Sequence, residues 1–303
     1  MRWREGRQSN NIEDRRGMSA PSGRLGGGGI LGLLPFVYRL LGFKGVVIAT
    51  LVIGAYVLFS GNFDLLTGTD KLAEQPGTSQ SGLVVQSPEE RELVDFVSVV
   101  LADTEETWHG LLQQQKVTYQ EPTLVLYRDA VDSACGLGQA AMGPFYCPDD
   151  HKLYIDLSFY SELKQRYRAP GDFAQAYVIA HEVGHHVQTL LGISQQVNQA
   201  RRGISKVESN QLTVRMELQA DCLAGLWAHH AHKSRQMLEA GDVEEGLAAV
   251  SAIGDDRLQR QGQGHVSPDS FTHGSSAQRV KWFRIGLERG TMKSCDTFAV
   301  ATL

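Results

Sequence analysis

Two histidines stand four residues apart, with a glutamate directly after the first, in the segment His181-Glu182-Val183-Gly184-His185. Residues at this spacing share one face of a helix, so both imidazoles can reach the same metal ion. Such a pair is a typical Zn²⁺ ligand set, and the intervening glutamate would lie beside the ion as a general base. The segment therefore predicts a zinc site that activates water for hydrolysis.

The residues around this segment have the periodicity of a helix. Apolar side chains recur every three or four positions from Phe173 to Leu191, which is typical of a half-buried helix. Asp172 follows a Pro-Gly pair and can cap the start, and Gly192 can close the end. The alternative is that the two histidines are ordinary surface or core residues of this helix, and a third ligand would argue against that.

A catalytic zinc usually takes three protein ligands. The extended form H-E-x-x-H-x-x-G-x-x-H is absent, because Gln188 and Leu191 occupy the required glycine and histidine positions. Glu217 and Asp221 lie four apart in a later apolar helical segment, where a buried acid pair without a cation would be costly. We predict Glu217 as the third ligand and Asp221 as acceptor of a ligand histidine's free N–H. The alternative is two acids on a solvated surface.

The pattern H-E-x-x-H followed by E-x-x-A-D resembles the glutamate-zincin arrangement of the membrane CAAX prenyl proteases and their bacterial relatives. Further segments resemble a bacterial family of membrane-anchored proteins described as "putative neutral zinc metallopeptidase". These segments, which span nearly the whole chain, are MRWR (1–4), SNNIEDRRG (9–17), FYCP (145–148), YID (154–156), IGDDRLQ (253–259), FTHGSSAQR (271–279) and WF (282–283).

This resemblance implies an α+β, zincin-like metallopeptidase domain. It implies zinc ligands at His181, His185 and Glu217, with Glu182 as the catalytic acid and base. The function expected from it is a membrane-anchored zinc metallopeptidase that hydrolyses peptide bonds in a peptide or protein substrate. The resemblance says nothing about which substrate that is.

A peptidase also needs a donor for the oxyanion of its tetrahedral intermediate. His273 is the candidate, because it lies in a Gly/Ser-rich turn just before a predicted helix. An equally good interpretation is a loop residue near the helix cap. Arg279 is a second, weaker candidate for the oxyanion donor.

The remaining pattern predicts a small sheet and a mostly helical remainder. Ser87 and Pro88 begin a helix that runs to about residue 114. Residues 123–127 and 153–159 are rich in strand formers, and helices are expected near 243–253 and 275–288. Residues 152–159 could bind substrate at a sheet edge or form an interior strand, and the sequence leaves both open.

The N-terminal part of the chain differs from the rest. Residues 1–44 are rich in arginine and glycine and predict a disordered cytoplasmic region. Residues 45–61 predict one transmembrane helix, since they are uncharged and apolar on all sides, and they start too late for a cleaved signal peptide. Residues 62–86 form a linker and residues 87–303 the metallopeptidase domain. The excess of basic residues before the helix places the domain on the extracytoplasmic side, which is the periplasm in a two-membrane bacterium.

All four cysteines follow the predicted membrane helix, as expected of an exported domain. Cys135 and Cys147 bracket a glycine-rich loop and are the natural local pair. That leaves Cys222 to pair with Cys295. Other pairings and four free thiols stay open, because four cysteines allow three connectivities.

The net charge of −5 and the absence of a basic helix argue against nucleic acid as a partner. The expected partners are a peptide substrate and, through residues 45–61, the lipid bilayer. Two other functions stay open. One is a catalytically silent, membrane-tethered binding or chaperone protein, and the other is a zinc hydrolase of cell-wall amide links. The sequence does not indicate an oligomeric state.

Overall fold

The computed structural model describes residues 1–18 and 86–303, whose strands form one four-stranded sheet and one hairpin. In chain order the strands are β1 (Ile12–Asp14), β2 (Thr123–Tyr127), β3 (Ala130–Ser133), β4 (Gly136–Gln139), β5 (Phe145–Cys147) and β6 (Lys152–Asp156). The sheet order is β1-β2-β6-β5. β1 and β6 run parallel to β2, β5 runs antiparallel to β6, and β3 pairs with β4 as the separate hairpin.

Helices make up most of the remaining described chain. They are α1 (Pro88–Gln114), α2 (Ser158–Gln165), α3 (Asp172–Leu190), α4 (Ile193–Ala200), α5 (Lys206–Arg235), α6 (Asp242–Ala252), α7 (Asp255–Gln263) and α8 (Ser276–Arg289). The predicted α+β architecture, with a small sheet and a mostly helical remainder, is confirmed.

Local sequence signals set the starts of three of the helices that contribute to the core. The Ser87 hydroxyl accepts from the Glu90 N–H at the start of α1, which has proline in its first turn. At the start of α5, Ser205 and Glu208 form a reciprocal capping box. Ser275 forms the same kind of box with the third helical residue at the start of α8. These caps satisfy N–H groups that a helix start leaves without partners.

Glycines allow α5 to pack closely against its neighbours. A Cβ placed on Gly225 of α5 would lie 2.1 Å from the Phe283 carbonyl oxygen, and one on Gly286 of α8 would lie 1.9 Å from the Cys222 carbonyl oxygen. Both positions therefore require glycine. α3 approaches α5 less tightly at Gly184, where a Cβ would lie 3.1 Å from the backbone oxygen of Ala220. This contact brings the face of α3 that carries the histidines next to α5.

The central strands β2 and β6 are buried on both faces. Leu124 and Leu153 belong to the main core formed with the helices, whereas Val125 and Tyr154 belong to a smaller cluster on the other face. β6 is thus an interior strand, and the chain turns into α2 at Ser158, so the predicted strand 153–159 ends early. Within the described residues, the sheet edges are β1 and β5.

Residues 1–18 form part of this fold, so the prediction of disorder is wrong for them. β1 pairs with β2, and Trp3 is 7% exposed and packs edge-on against Phe96 of α1. The Arg16 side chain is fully buried and its Nη1 lies 2.9 Å from Glu90 Oε1. This arrangement could not be recognised from the sequence, because the strand is only three residues long and Glu90, one ionic partner of Arg16, is distant in the chain. The rest of the predicted region, residues 19–44, lies outside the described residues.

The predicted membrane helix at 45–61 lies outside the described residues, as does the predicted linker apart from its last residue. Within residues 1–18 and 86–303, no helix combines the length and apolar character that crossing a bilayer requires.

Two disulfides connect distant parts of the domain. Cys135 bonds to Cys147 and ties the β3–β4 hairpin to β5. Cys222 bonds to Cys295 and ties α5 to the segment after α8. This is the pairing that the sequence favoured.

Candidate metal centre

Two helices bring the predicted ligands to one point. His181 and His185 project from α3 towards Glu217 of α5. The Glu217 carboxylate oxygens lie 3.3 Å from His181 Nε2 and 3.6 Å from His185 Nε2. The three candidate ligand atoms all lie within 4.8 Å of one another.

His181 is held by a buried charged network. Its Nδ1 lies 3.0 Å from Asp221 Oδ1, and Asp221 is fully buried. The Arg279 guanidinium donates to both Asp221 oxygens, from Nε at 2.8 Å and from Nη2 at 2.9 Å. The Tyr177 hydroxyl donates to Asp221 and accepts from Arg279 Nη2 at 3.1 Å. We call Asp221, Arg279 and Tyr177 the charged support.

These contacts decide which of the buried groups carry charge. Burial alone would raise the pKa of Asp221, but Arg279 and His181 outweigh it and hold that pKa below its usual range. Burial would lower the pKa of His181, but the carboxylates of Asp221 and Glu217 outweigh it and raise the pKa to about 10. Asp221 is therefore an ionised acceptor that fixes the orientation of the imidazole ring.

His185 is held by neutral groups instead. Its Nδ1 lies 2.9 Å from Oε1 of Gln188, one helical turn further along α3. The Gln188 amide nitrogen donates to the Met216 carbonyl at 2.8 Å and to Gln219 Oε1 at 3.0 Å. The Gln219 amide nitrogen in turn donates to the Cys295 carbonyl at 3.2 Å. We call Gln188, Gln219 and the Cys295 carbonyl the neutral support.

Glu182 lies beside the candidate ligands and is only 8% exposed. Burial raises the pKa of its carboxyl, whereas the imidazoles of His181 and His185 and the backbone N–H of Tyr146 act in the opposite direction. A carboxyl with a raised pKa accepts a proton more readily than an ordinary glutamate. The arrangement therefore suits Glu182 to proton transfer.

The three converging side chains fit a zinc ion. Both ring Nδ1 atoms face acceptor oxygens, so Nδ1 keeps its hydrogen in each ring and Nε2 is the nitrogen that would give up its proton to bind a metal. Two imidazole nitrogens and a carboxylate are a usual ligand set for catalytic zinc, which holds such atoms at about 2.0–2.2 Å. Ligand atoms at that distance from one tetrahedral ion lie about 3.3–3.6 Å apart. The Glu217 oxygens lie 3.3 Å from His181 Nε2 and 3.6 Å from His185 Nε2, which agrees with this spacing.

The three candidate ligands line an open cleft of about 420 Å³. The segment from Ala141 to Tyr146 also lines this cleft, as do His273 and Arg279. His273 Nδ1 lies 3.2 Å from Asp255 Oδ1, an interaction that raises the pKa of His273. The Arg279 guanidinium instead donates to Asp221, to the Tyr177 hydroxyl and to the Ile253 carbonyl, the last at 3.2 Å. This occupation disfavours Arg279 as an oxyanion donor.

His186, next to the candidate ligand His185, points away from the candidate metal centre. Its Nε2 donates to the Gln120 carbonyl at 2.6 Å, and its Nδ1 lies 3.1 Å from the Tyr146 hydroxyl. Burial lowers the pKa of His186 to about 4. It is thus a neutral histidine that fixes the position of Tyr146 at the cleft wall.

Sequence reasoning missed the roles of Tyr177, Gln188 and Arg279. Tyr177 lies four residues before His181 and Gln188 three residues after His185, so helical spacing alone places each near its histidine. Arg279 had no comparable signal. α8 contains other arginines, and only the three-dimensional packing shows that this one is buried.

An α+β domain in which two helices supply His, His and Glu around a cleft is the architecture of a metal-dependent hydrolase. The chain belongs to the protein family described as "putative neutral zinc metallopeptidase", whose profile matches residues 1–298. The family supports zinc as the metal and peptide hydrolysis as the reaction class.

Two curated relatives are similar to the chain over different lengths. The chain is 50% identical to uncharacterized protein YpfJ of Escherichia coli (strain K12), over 98% of this chain and 99% of the relative. It is 42% identical to uncharacterized protein Rv2575 of Mycobacterium tuberculosis (strain ATCC 25618 / H37Rv), over 61% of this chain and 65% of the relative. No solved structure matches the chain.

Proposed function

We propose that this protein is a zinc-dependent peptidase in which His181, His185 and Glu217 hold the metal and Glu182 moves the proton. One observation carries the proposal. The three ligand atoms converge within 4.8 Å at an open cleft, with the buried carboxyl of Glu182 beside them.

Bound zinc would supply Lewis acidity, which lowers the pKa of a water molecule and polarises the scissile carbonyl. Glu182 accepts the proton of the attacking water and delivers it to the departing amine. His273 lines the same cleft, and its interaction with Asp255 favours the charged imidazole. A charged imidazole is a strong donor to the oxyanion that forms on the substrate carbonyl.

The substrate would bind as an extended peptide along β5. β5 is a sheet edge within the described residues, and Phe145 and Tyr146 of this strand line the cleft. Backbone hydrogen bonds to a free strand edge recognise a peptide without reading its sequence. Phe159, Tyr167 and Val178 also line the cleft, which favours an apolar substrate side chain there.

The two disulfides support an extracytoplasmic location for the domain, because such bonds persist in oxidising compartments. A peptide or protein substrate would then be met outside the cytoplasm.

The test uses the full-length chain, since residues 1–18 belong to the folded unit. The parent and the Glu182→Gln variant are compared for zinc content and for cleavage of a denatured protein mixture. We expect one zinc in each and cleavage by the parent alone. Glu244→Gln, at an exposed position on α6, is the matched control and should cleave like the parent. Equal cleavage by parent and Glu182→Gln would remove Glu182 from the mechanism.

The same assay separates the two rival functions. A silent binding protein would hold zinc without cleaving any polypeptide. A cell-wall amide hydrolase would release fragments from purified cell-wall material but leave denatured proteins intact.

A further inference from the structure

We propose that Gln188 and Gln219 are positioning residues for His185, and that the Cys222–Cys295 disulfide anchors them. This inference rests on the proposed metal site and adds to it the residues that fix the second imidazole. It concerns the neutral support, which includes no ligand and no group that touches substrate.

The hydrogen-bond directions in the neutral support are mutually consistent. Gln188 is fully buried and Gln219 is 6% exposed. If the Gln188 amide were reversed, its oxygen would face the Met216 carbonyl, now 2.8 Å from the amide nitrogen. Two carbonyl oxygens at that distance repel, so the orientation with Oε1 towards His185 is enforced. This orientation keeps the hydrogen on His185 Nδ1 and leaves Nε2 free for the metal.

Gln219 locks the Gln188 amide from the other side. It accepts one Gln188 N–H through Oε1 and donates its own N–H to the Cys295 carbonyl. Cys295 is held against α5 by its disulfide to Cys222, three residues beyond Gln219. The Cys222–Cys295 disulfide, which lies outside the cleft, therefore fixes the Cys295 carbonyl. That carbonyl is the last acceptor in the series of hydrogen bonds that leads through Gln219 and Gln188 to His185.

The roles of Gln188 and Gln219 are tested by measuring zinc affinity in competition with a chromophoric chelator, together with the visible spectrum of the Co²⁺-loaded protein. Gln188→Met keeps most of the side-chain volume but removes the acceptor. We expect it to bind zinc about 10–100-fold more weakly, the usual effect of removing the hydrogen-bond partner of a ligand histidine. Gln219→Leu should show a smaller loss than Gln188→Met.

Two controls separate positioning from general stability. Thr297→Val removes the bond from the Thr297 hydroxyl to the Arg215 carbonyl, which joins the same C-terminal segment to α5 outside the neutral support. It should lower the melting temperature and leave zinc affinity within about twofold, since no ligand partner is lost. Gln211→Ala, at an exposed position on α5, should change neither quantity.

A Gln188→Met variant with parental zinc affinity and an unchanged Co²⁺ spectrum would overturn this inference while leaving the proposed function intact. A parent protein that binds no zinc would overturn both.

The contacts of residues 1–18 bear on membrane topology. We infer from them that residues 1–18 and 86–303 lie on the same side of any membrane that the chain enters. The predicted single crossing at 45–61 would put them on opposite sides, about 30 Å of hydrocarbon apart.

The contacts of residues 1–18 do not permit such a separation. The Leu124 N–H donates to the Asn11 carbonyl and the Arg15 N–H to the Leu126 carbonyl, each at 2.8 Å. A Cβ on Gly6 would lie 2.4 Å from a Val99 side-chain carbon, so the backbone there lies directly on α1. Any crossings between residues 18 and 86 must therefore be even in number.

The test labels single added cysteines with a membrane-impermeant maleimide in the full-length chain. Asn10→Cys and Ala301→Cys occupy exposed positions at the two ends of the folded unit. We expect both to react in vesicles of one orientation and neither in vesicles of the other, with full reaction of both after detergent treatment. Reaction in opposite orientations would overturn the inference and restore the single crossing.

Discussion

The two candidate histidine ligands have different supports, although they lie one helical turn apart. His181 donates to a carboxylate that Arg279 neutralises, whereas His185 donates to an amide that a second amide and a backbone carbonyl hold. Both arrangements place the hydrogen on Nδ1 and leave Nε2 for the metal. The same imidazole orientation can therefore be obtained with buried charge or without it.

The difference affects stability and metal binding in separate ways. A carboxylate partner increases the basicity of the imidazole more than an amide does. It also requires a buried cation, because an isolated buried carboxylate is strongly unfavourable. The neutral support needs no counterion, but each of its amides depends on the next. Breaking the charged support should therefore cost mainly folding stability, and breaking the neutral support mainly ligand orientation.

Removal of the Cys222–Cys295 disulfide should have the largest effect on stability. The bond closes a 73-residue separation, and chain entropy predicts a loss of about 4 kcal/mol for Cys222→Ala with Cys295→Ala. The Cys135–Cys147 bond, at a separation of 12, should contribute about 3 kcal/mol. Urea unfolding of the metal-free chains without reductant measures both.

Zinc affinity distinguishes the two disulfides more sharply than stability does. It should fall only when the Cys222–Cys295 bond is removed, since only that bond anchors the neutral support. Equal losses of zinc affinity in the two double variants would show that the anchor has no specific role.

Arg279→Met should break the charged support at its counterion. The buried Asp221 carboxylate then keeps only His181 as a cationic partner in the metal-free chain. We expect the free energy of unfolding to fall by about 3 kcal/mol, the lower end for a broken buried ion pair, because the imidazolium still offsets part of the charge. Arg284→Met, at an exposed position on the same helix, should change it by less than about 0.5 kcal/mol. A loss below about 1 kcal/mol for Arg279→Met would mean that water or another group compensates Asp221.

The sequence predicts that the candidate ligands and Asp221 lie together, because helical spacing connects residues within one helix. His181 with His185 and Glu217 with Asp221 are both i, i+4 pairs, and their placement follows once each helix is recognised. Arg279 of α8 contacts Asp221, and the Cys295 carbonyl, in the segment after α8, accepts from Gln219. No local period links them to α3, so only the folded arrangement assigns their roles.

The sheet shows the same limit of sequence reasoning. β2 was predicted because five consecutive residues are strand formers, whereas β1 contains only Ile12, Glu13 and Asp14. Its arginine-rich surroundings are typical of disordered chain. Burial of Arg16 against Asp14 and Glu90 makes the segment compatible with a packed fold, and those partners lie on β1 itself and on α1.

Combining Asp221→Asn with Arg279→Met would make the support of His181 neutral, like that of His185. Removing both charges avoids an unpaired buried ion, so the double variant should be more stable than Arg279→Met alone. The asparagine oxygen can still accept from Nδ1, so zinc affinity should fall by only about tenfold, the lower end for loss of a ligand's partner. Urea unfolding and chelator competition measure the two quantities. A double variant less stable than Arg279→Met would refute the idea that charge balance dominates here.

Tyr177→Phe should be the mildest change, because it removes one hydroxyl from the charged support and leaves both ions in place. The lost bonds to Asp221 and Arg279 should lower the free energy of unfolding by about 1 kcal/mol. Zinc affinity should change by less than about threefold, since Asp221 still accepts from His181 Nδ1. Tyr160→Phe is the matched control, because the Tyr160 hydroxyl is buried with no hydrogen-bond partner among the described residues. That control should be neutral or slightly stabilising in thermal unfolding, and a larger loss there than in Tyr177→Phe would contradict the role assigned to the Tyr177 hydroxyl.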